Sequence, residues 1–140
     1  MFHPKIIRQA LDPSCETIRL GALSPKRDFN FVADIVGAFA AVAGLAREYA
    51  GKTFNAGSGV MITIGEVART IQALSGCNKP VEQEEARLRP LESEVMALMA
   101  DASALHQKTG WMPQTALEQG LARTIDWWRG RMDDVRPDSS

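Results

Sequence analysis

The sequence predicts a small mixed α/β domain in which short strands alternate with helices. Apolar residues recur at helical spacing in several segments, and short apolar runs lie between those segments. Turn residues such as Gly51 and Gly110 separate the two kinds of element. The chain has 140 residues and is 45% hydrophobic, which is enough for one modest core, predicted to span residues 1–132. Residues 133–140 are expected to form a flexible polar tail.

Caps mark the best defined helices. One helix is predicted at residues 4–11, where the isoleucines and Ala10 share a side. Thr63 and Glu66 have the spacing of a capping box, and Gly76 ends the helix that follows. Asp101 is expected to cap a helix through Lys108.

A second capping box, at Thr115 and Glu118, predicts the last helix. Its apolar stripe is formed by Leu117, Leu121, Ile125 and Trp128. The neighbouring Trp127 points about 100° away from Trp128 on a helix, so one ring is expected in the core and the other at the surface.

The apolar stretch at residues 33–46 is shorter than the ~20 residues that cross a membrane. We therefore predict a buried helix capped by Asp34. The predicted strands and extended pieces are residues 17–20, 29–32, 52–56, 81–86 and 95–100.

Composition excludes several functions. A net charge of -1 argues against sequence-independent binding of nucleic acid. Cys15 and Cys77 lack the spacing of a redox pair or a zinc site, and neither His3 nor His106 has a partner at metal-ligand spacing. We expect a cytoplasmic protein that binds no metal and is not inserted in a membrane.

Catalytic motifs are missing. The stretch at residues 57–59 is Gly-Ser-Gly, which lacks the third glycine of a dinucleotide-binding loop and is predicted to be a flexible connection. Tyr49 has Thr53, not lysine, four residues later. No nucleophile or phosphate-loop motif is present, so we assign no catalytic and no cofactor-binding residue.

Arginines are the remaining candidates for a binding site. Arg27, Arg87 and Arg89 lie in structured surroundings, and a guanidinium can bind a diphosphate through two parallel hydrogen bonds. Spacing alone leaves a structural alternative open. Arg27 could instead pair with Asp28 or Asp34, and Arg87 with Glu84 or Glu85.

Four segments in order resemble the carboxy-terminal part of extended short-chain dehydrogenases, the NAD-dependent epimerase/dehydratase family. They are LGALSPKRDFNFVAD at residues 20–34, TFNAGSG at 53–59, RLRPLESEV at 87–95 with ADAS at 100–103, and GWMP at 110–113 with the helix that follows. The first and third segments look most like dehydratases of UDP- or GDP-linked N-acetylglucosamine. Such enzymes oxidise the sugar at C4, eliminate water across C5 and C6, and return the hydride to C6.

The resemblance implies that Arg27 and Arg89 contact the substrate diphosphate, and that Leu20, Gly21 and Ala22 lie near the base. NAD is implied for a full-length enzyme only, since the family's amino-terminal half carries the glycine-rich loop and the catalytic Tyr and Lys. The resemblance thus implies the substrate-binding portion of a lyase that serves surface-polysaccharide pathways and is inactive alone. A free-standing binding module and an epimerase fragment are the alternatives.

Two partners are implied besides the nucleotide sugar. The first is the dinucleotide-binding half, on which this part of the family packs. The second is another copy of the chain, because apolar residues of the 33–46 helix and one of the tryptophans would be uncovered.

Overall fold

A computed structural model of the protein describes residues 4–84 and 95–134. Five α-helices occur in these ranges: α1 Pro4–Leu11, α2 Val32–Ala43, α3 Ile64–Ser75, α4 Ser103–Thr109 and α5 Leu117–Asp134. Five short strands lie among them: β1 Ile18–Leu20, β2 Lys26–Asp28, β3 Met61–Thr63, β4 Val81–Gln83 and β5 Ala97–Leu98. The small mixed α/β architecture is the one predicted from sequence.

The strands form two small sheets. β1 and β4 pair in parallel, with Ile18 opposite Val81. β2 is the centre of the other sheet and pairs antiparallel with β3 and parallel with β5. Both sheets join residues far apart in sequence, so the folded core is needed to hold the strands together.

The hydrophobic core lies between α1, α3, α5 and β1. Each element contributes residues that are almost completely buried: Ile6, Ile7, Ile18, Val67, Ile71, Leu121 and Ile125. The apolar spacing of α1 and α3 predicted these contacts, because residues three and four apart share a helix face.

The capping of α3 is confirmed. The Glu66 N–H donates to Thr63 Oγ1 at 3.1 Å, and the Thr63 N–H donates to Glu66 Oε2 at 2.9 Å. The Thr63 contacts hold the pKa of Glu66 below its usual value. Gly76 ends α3 at φ 71°, a left-handed conformation that favours glycine.

Several predicted boundaries are wrong. The piece predicted as extended at 29–32 lies beyond β2, because ladder pairing is limited to Lys26–Asp28 and α2 begins at Val32. The residue at the N-cap position of α2 is Phe31, while Asp34 lies in the first turn. Residues 52–56 have no strand partner in the described part of the chain, and the strand Met61–Thr63 was not predicted.

The caps predicted for the last two helices are also wrong. α4 begins at Ser103 with Ala102 as its N-cap, although an Asp101 oxygen accepts from the Ser103 N–H at 3.0 Å. α5 begins at Leu117, and the Thr115 hydroxyl donates to Asp34 instead of capping it. The helix continues to Asp134, and residues 135–140 of the predicted tail lie outside the described residues.

Tertiary contacts explain the role of Asp34. Its two carboxylate oxygens accept from the N–H and the hydroxyl of Thr115, at 3.0 and 3.2 Å. The Asp34 carbonyl accepts from Trp111 Nε1 at 3.0 Å. Asp34 therefore fastens the start of α2 to the turn that precedes α5.

The prediction that residues 33–46 form a buried helix is wrong in part. α2 is helical, but only Ala38 is buried, and Val32, Val36 and Phe39 are 66%, 60% and 74% exposed. The two neighbouring tryptophans are separated as expected, since Trp128 packs against the core while Trp127 is 53% exposed. No helix in the described ranges has the length and apolar character of a membrane span.

Candidate functional site

The candidate site is centred on β2. Arg27 pairs with Ile62 of β3 on one side and with Leu98 of β5 on the other. Side chains directly opposite one another on paired strands share a face of the sheet, so these three lie side by side. Leu98 is 61% exposed, so among the described residues this face is open on its β5 side, while Ile62 packs against the core. Arg27 is half-buried, and its Nη1 donates to the Lys26 carbonyl at 2.8 Å.

A cradle of hydrogen bonds surrounds the next residue, Asp28. Its carboxylate accepts from the N–H of Ser58 at 3.1 Å, the N–H of Gly59 at 3.0 Å and the hydroxyl of Ser58. The partners are 30 and 31 positions away in sequence. The sequence indicated Asp28 only as an alternative partner of Arg27, because no local pattern links residues so far apart.

Burial and hydrogen bonds act in opposite directions on the pKa of Asp28. Burial is the largest single influence and raises the pKa of this carboxyl group. The hydrogen bonds from Ser58 and Gly59 together outweigh burial, so the pKa lies below its ordinary value of 3.8. Asp28 is therefore ionised at neutral pH, and it fixes the loop that was predicted to be flexible.

Gly57 permits this loop to approach β2 closely. A Cβ atom at that position would lie 2.6 Å from Asp28 Oδ2 and 2.6 Å from the Cβ of Ala100. A Cβ atom is essentially never that close to a non-bonded heavy atom, so only glycine fits without displacing the Asp28 carboxylate or Ala100.

The same loop does not fit a dinucleotide. A phosphate-binding loop presents free N–H groups to an anion. Here the Ser58 and Gly59 N–H groups already donate to the Asp28 carboxylate. The loop that contains Gly57 and Gly59 thus binds an anion of the chain itself, the Asp28 carboxylate.

The three residues predicted to lie near the base are the last residue of β1 and the two that follow it. The Leu20 side chain is 4% exposed and packs in the core, so it presents only its backbone to a ligand. Its carbonyl accepts from the Glu84 N–H at 2.7 Å. Gly21 and Ala22 are half-buried and lead from β1 towards β2.

Arg87 and Arg89 lie outside the described residues. The described residues that flank them are anchored beside the other predicted site residues. On one side Glu84 bonds to Leu20, and on the other the Met96 carbonyl accepts from the Lys26 N–H at 2.7 Å. The described residues on the two sides of this segment, Glu84 and Met96, therefore lie beside the end of β1 and the start of β2.

A cavity of about 320 Å³ opens between the cradle and the start of α5. Its lining includes Ser58, Thr115 and Ile62, the cross-strand neighbour of Arg27. Open space of this size beside a cationic strand can accept a polar group of a small ligand.

Fold and sequence define the class of the protein. A solved structure of MoeE5 in complex with UDP-glucuronic acid and NAD matches 94% of this chain with a TM-score of 0.76 and 26% identity. The match covers 42% of MoeE5. The fold is that of the carboxy-terminal part of nucleotide-sugar epimerases and dehydratases of the extended short-chain dehydrogenase type.

The family follows from the sequence itself. The model of the GDP-mannose 4,6 dehydratase family matches residues 3–124. The chain belongs to the GDP-mannose 4,6 dehydratase family.

Curated relatives show the same class and a consistent difference in length. The chain is 32% identical over 126 residues to a UDP-glucose 4-epimerase of Mycolicibacterium smegmatis, covering 90% of this chain and 38% of that protein. It is 33% identical over 112 residues to a dTDP-glucose 4,6-dehydratase of Xanthomonas campestris pv. campestris, covering 73% of this chain and 30% of the relative. The chain thus spans between 30% and 38% of these two relatives.

Proposed function

We propose that this chain is the substrate-binding portion of an NAD-dependent nucleotide-sugar 4,6-dehydratase, a lyase. In this proposal it holds the diphosphate and base of a UDP- or GDP-linked sugar, such as an N-acetylglucosamine, in cytoplasmic surface-polysaccharide synthesis. It is inactive without a dinucleotide-binding half. The position of Arg27, on the central strand beside the exposed side chain of Leu98, carries the proposal.

Arg27 has the chemistry that a diphosphate requires. A guanidinium offers several N–H donors in one plane and keeps its charge at any physiological pH. Its main-chain partners on both sides fix the base of the side chain, so little backbone motion has to be ordered when an anion binds. Arg89 is the proposed second ligand on the family resemblance, and the described residues that flank its segment, Glu84 and Met96, bond to Leu20 and Lys26.

The backbone of Gly21 and Ala22 is the proposed contact for the base. Both residues are half-buried and follow directly on the core residue Leu20. Peptide N–H and C=O groups can recognise the polar edge of a uracil or a guanine. This part of the proposal depends on the family resemblance, while Arg27 also has the support of its geometry.

Titration with UDP and GDP tests the binding proposal. We expect weak binding by the unmodified chain and weaker binding by R27A and by R89A. Each charge-assisted hydrogen bond contributes at most roughly 1.5–3 kcal/mol, and water and salt reduce that value at an open site. R47A is the matched control, because Arg47 is exposed in the short helix Arg47–Tyr49. Equal affinity of the unmodified chain and both site variants would assign these arginines a structural role.

The hydrogen bonds of the loop at residues 57–59 lead to a second expectation, which concerns NAD. The N–H groups that would have to receive a pyrophosphate are bonded to Asp28, which supports the proposal that this chain binds no NAD alone. We expect no saturable NAD binding and no turnover of UDP-N-acetylglucosamine with added NAD. Calorimetry and product detection would measure the two, and stoichiometric turnover would contradict the expectation.

The exposed apolar face of α2 bears on the partners of the chain and on the alternatives to the proposed function. We propose that the chain associates with a dinucleotide-binding half and, when that half is absent, with a second copy of itself. The exposed apolar face of α2 also favours an alternative, a non-catalytic interaction module of the same ancestry. Similarity to an epimerase keeps an epimerase fragment as a further alternative. An in-frame dinucleotide-binding half upstream of the gene segment would favour the enzyme over the module.

A further inference from the structure

A second cavity, of about 580 Å³, lies between α5 and the start of α2. Its apolar walls include Phe31, Val32, Ile35, Trp127 and Trp128. A volume of this size is within the range of small-molecule sites, which is about 300–1,000 Å³. Of the described residues that line it, none belongs to the proposed nucleotide-sugar site, so the two sites are separate.

One row of α5 forms a wall of this cavity and carries positive charge. Arg123, Trp127 and Arg131 are each four residues apart, so they follow one another along the helix. Trp127 is 53% exposed, which leaves part of its ring available for contact. Arg131 lies over the Trp127 ring, with its Cζ 4.2 Å from the centroid. The wall therefore combines an open aromatic ring with a cation one turn before it and one turn after it.

Arg123 is the one charged residue among the described residues that line the cavity. Its Cζ lies 4.5 Å from the centroid of the Phe31 ring, and this stacking orients the guanidinium. No carboxylate of the described residues bonds to it, and Asp126, three positions later on α5, pairs with Arg129 at 3.2 Å instead. Because stacking occupies the face of the guanidinium, its in-plane N–H groups remain available to an acceptor.

The other polar side chains of the lining are bonded within the chain. Asn30 Nδ2 donates to the Asp28 carboxylate at 3.0 Å, and the Thr124 hydroxyl donates to a main-chain carbonyl of α5 at 2.7 Å. The remaining side-chain donors of the described lining are the Arg123 guanidinium and the two indole N–H groups. The cavity thus offers unbonded donors and a positive charge, and its described lining contains no carboxylate.

We propose that this cavity binds a small organic anion, which consists of an aromatic body and a single carboxylate. The body contacts the open ring of Trp127 and the apolar residues at the start of α2, and the carboxylate bonds to Arg123. One lining guanidinium suits one negative charge, and the two oxygens of a carboxylate match its parallel N–H groups. This inference is independent of nucleotide binding at Arg27.

Calorimetric titration of the full chain with naphthoate tests the proposal, and naphthylmethanol is the matched neutral ligand. We expect naphthoate to bind about tenfold more tightly, because only the acid can form charge-assisted hydrogen bonds with the guanidinium. In R123Q this preference should disappear through weaker binding of the acid, while the affinity for the alcohol stays the same. R69Q should keep the preference, since Arg69 is exposed on α3 and does not line the cavity.

Nuclear magnetic resonance of the indole N–H groups locates the ligand. The Trp127 resonance, assigned with W127F, should shift during the titration. The Trp111 resonance should not, because that indole donates to the Asp34 carbonyl at 3.0 Å and lies outside the lining. Equal affinity of the unmodified chain for acid and alcohol would overturn the proposal, and so would a preference that R123Q retains. Absence of a Trp127 shift, or displacement of naphthoate by UDP, would overturn it as well.

Discussion

Replacing Asp28 with asparagine is expected to lower the free energy of unfolding by about 2–4 kcal/mol, because charge-assisted hydrogen bonds are lost at a half-buried position. Asparagine has one carbonyl oxygen where the carboxylate has two, so the N–H groups of Ser58 and Gly59 can no longer both be satisfied as they are now. Urea unfolding followed by circular dichroism would measure the loss.

The stabilisation from Asp28 should depend on pH in a defined direction. Its pKa in the folded chain is lower than the ordinary value of 3.8, so the folded state binds fewer protons than the unfolded state. The contribution is complete above that ordinary value and is lost as the pH falls through the lower, folded-state pKa. The difference between the unmodified chain and D28N should therefore shrink in acid.

A matched control for D28N is D126N. Asp126 forms an exposed salt bridge with Arg129 at 3.2 Å, and such pairs contribute about 0–1 kcal/mol. A loss in D28N no larger than the loss in D126N would show that the cradle does not stabilise the fold.

Replacing Lys79 with methionine is expected to lower the free energy of unfolding by about 1.5–3 kcal/mol, since an ammonium with three carbonyl partners is removed. Lys79 Nζ donates to the carbonyls of Gln9, Ala10 and Asp12, at 2.8, 3.1 and 2.6 Å. These carbonyls lie at and just beyond the end of α1, where a cation also interacts favourably with the helix dipole. Methionine fills a similar volume and provides no donor.

K5M is the control for K79M. Lys5 is exposed on the same helix α1, so its replacement removes one positive charge from the same element without a change in capping. Thermal and urea unfolding should place K5M close to the unmodified chain and K79M clearly below it. Equal stability of the two variants would mean that water replaces the ammonium at the end of α1.

The candidate site was predictable only in part. The resemblance of residues 20–34 drew attention to Arg27, and the structure adds that its strand is central and its neighbour Leu98 exposed. Arg89 lies outside the described residues and stays a prediction. The cradle around Asp28 could not be found, because it joins β2 to a loop 30 residues later and neither segment carries a local signal of the other.

The helices whose signals are local follow from the amino-acid sequence. The apolar spacing of α1 and the capping box of α3 fix those helices, because the residues concerned lie three or four positions apart and interact within one turn. The order of the short motifs likewise indicates the family. Three features could be seen only in the tertiary structure. The central strand is β2, and Asp34 bonds to Thr115 instead of capping α2. The third feature is the exposed apolar side of α2. The strand pairing and the Asp34 contact join residues far apart in sequence, 81 positions in the case of Asp34 and Thr115, and their meeting is set by how the core closes.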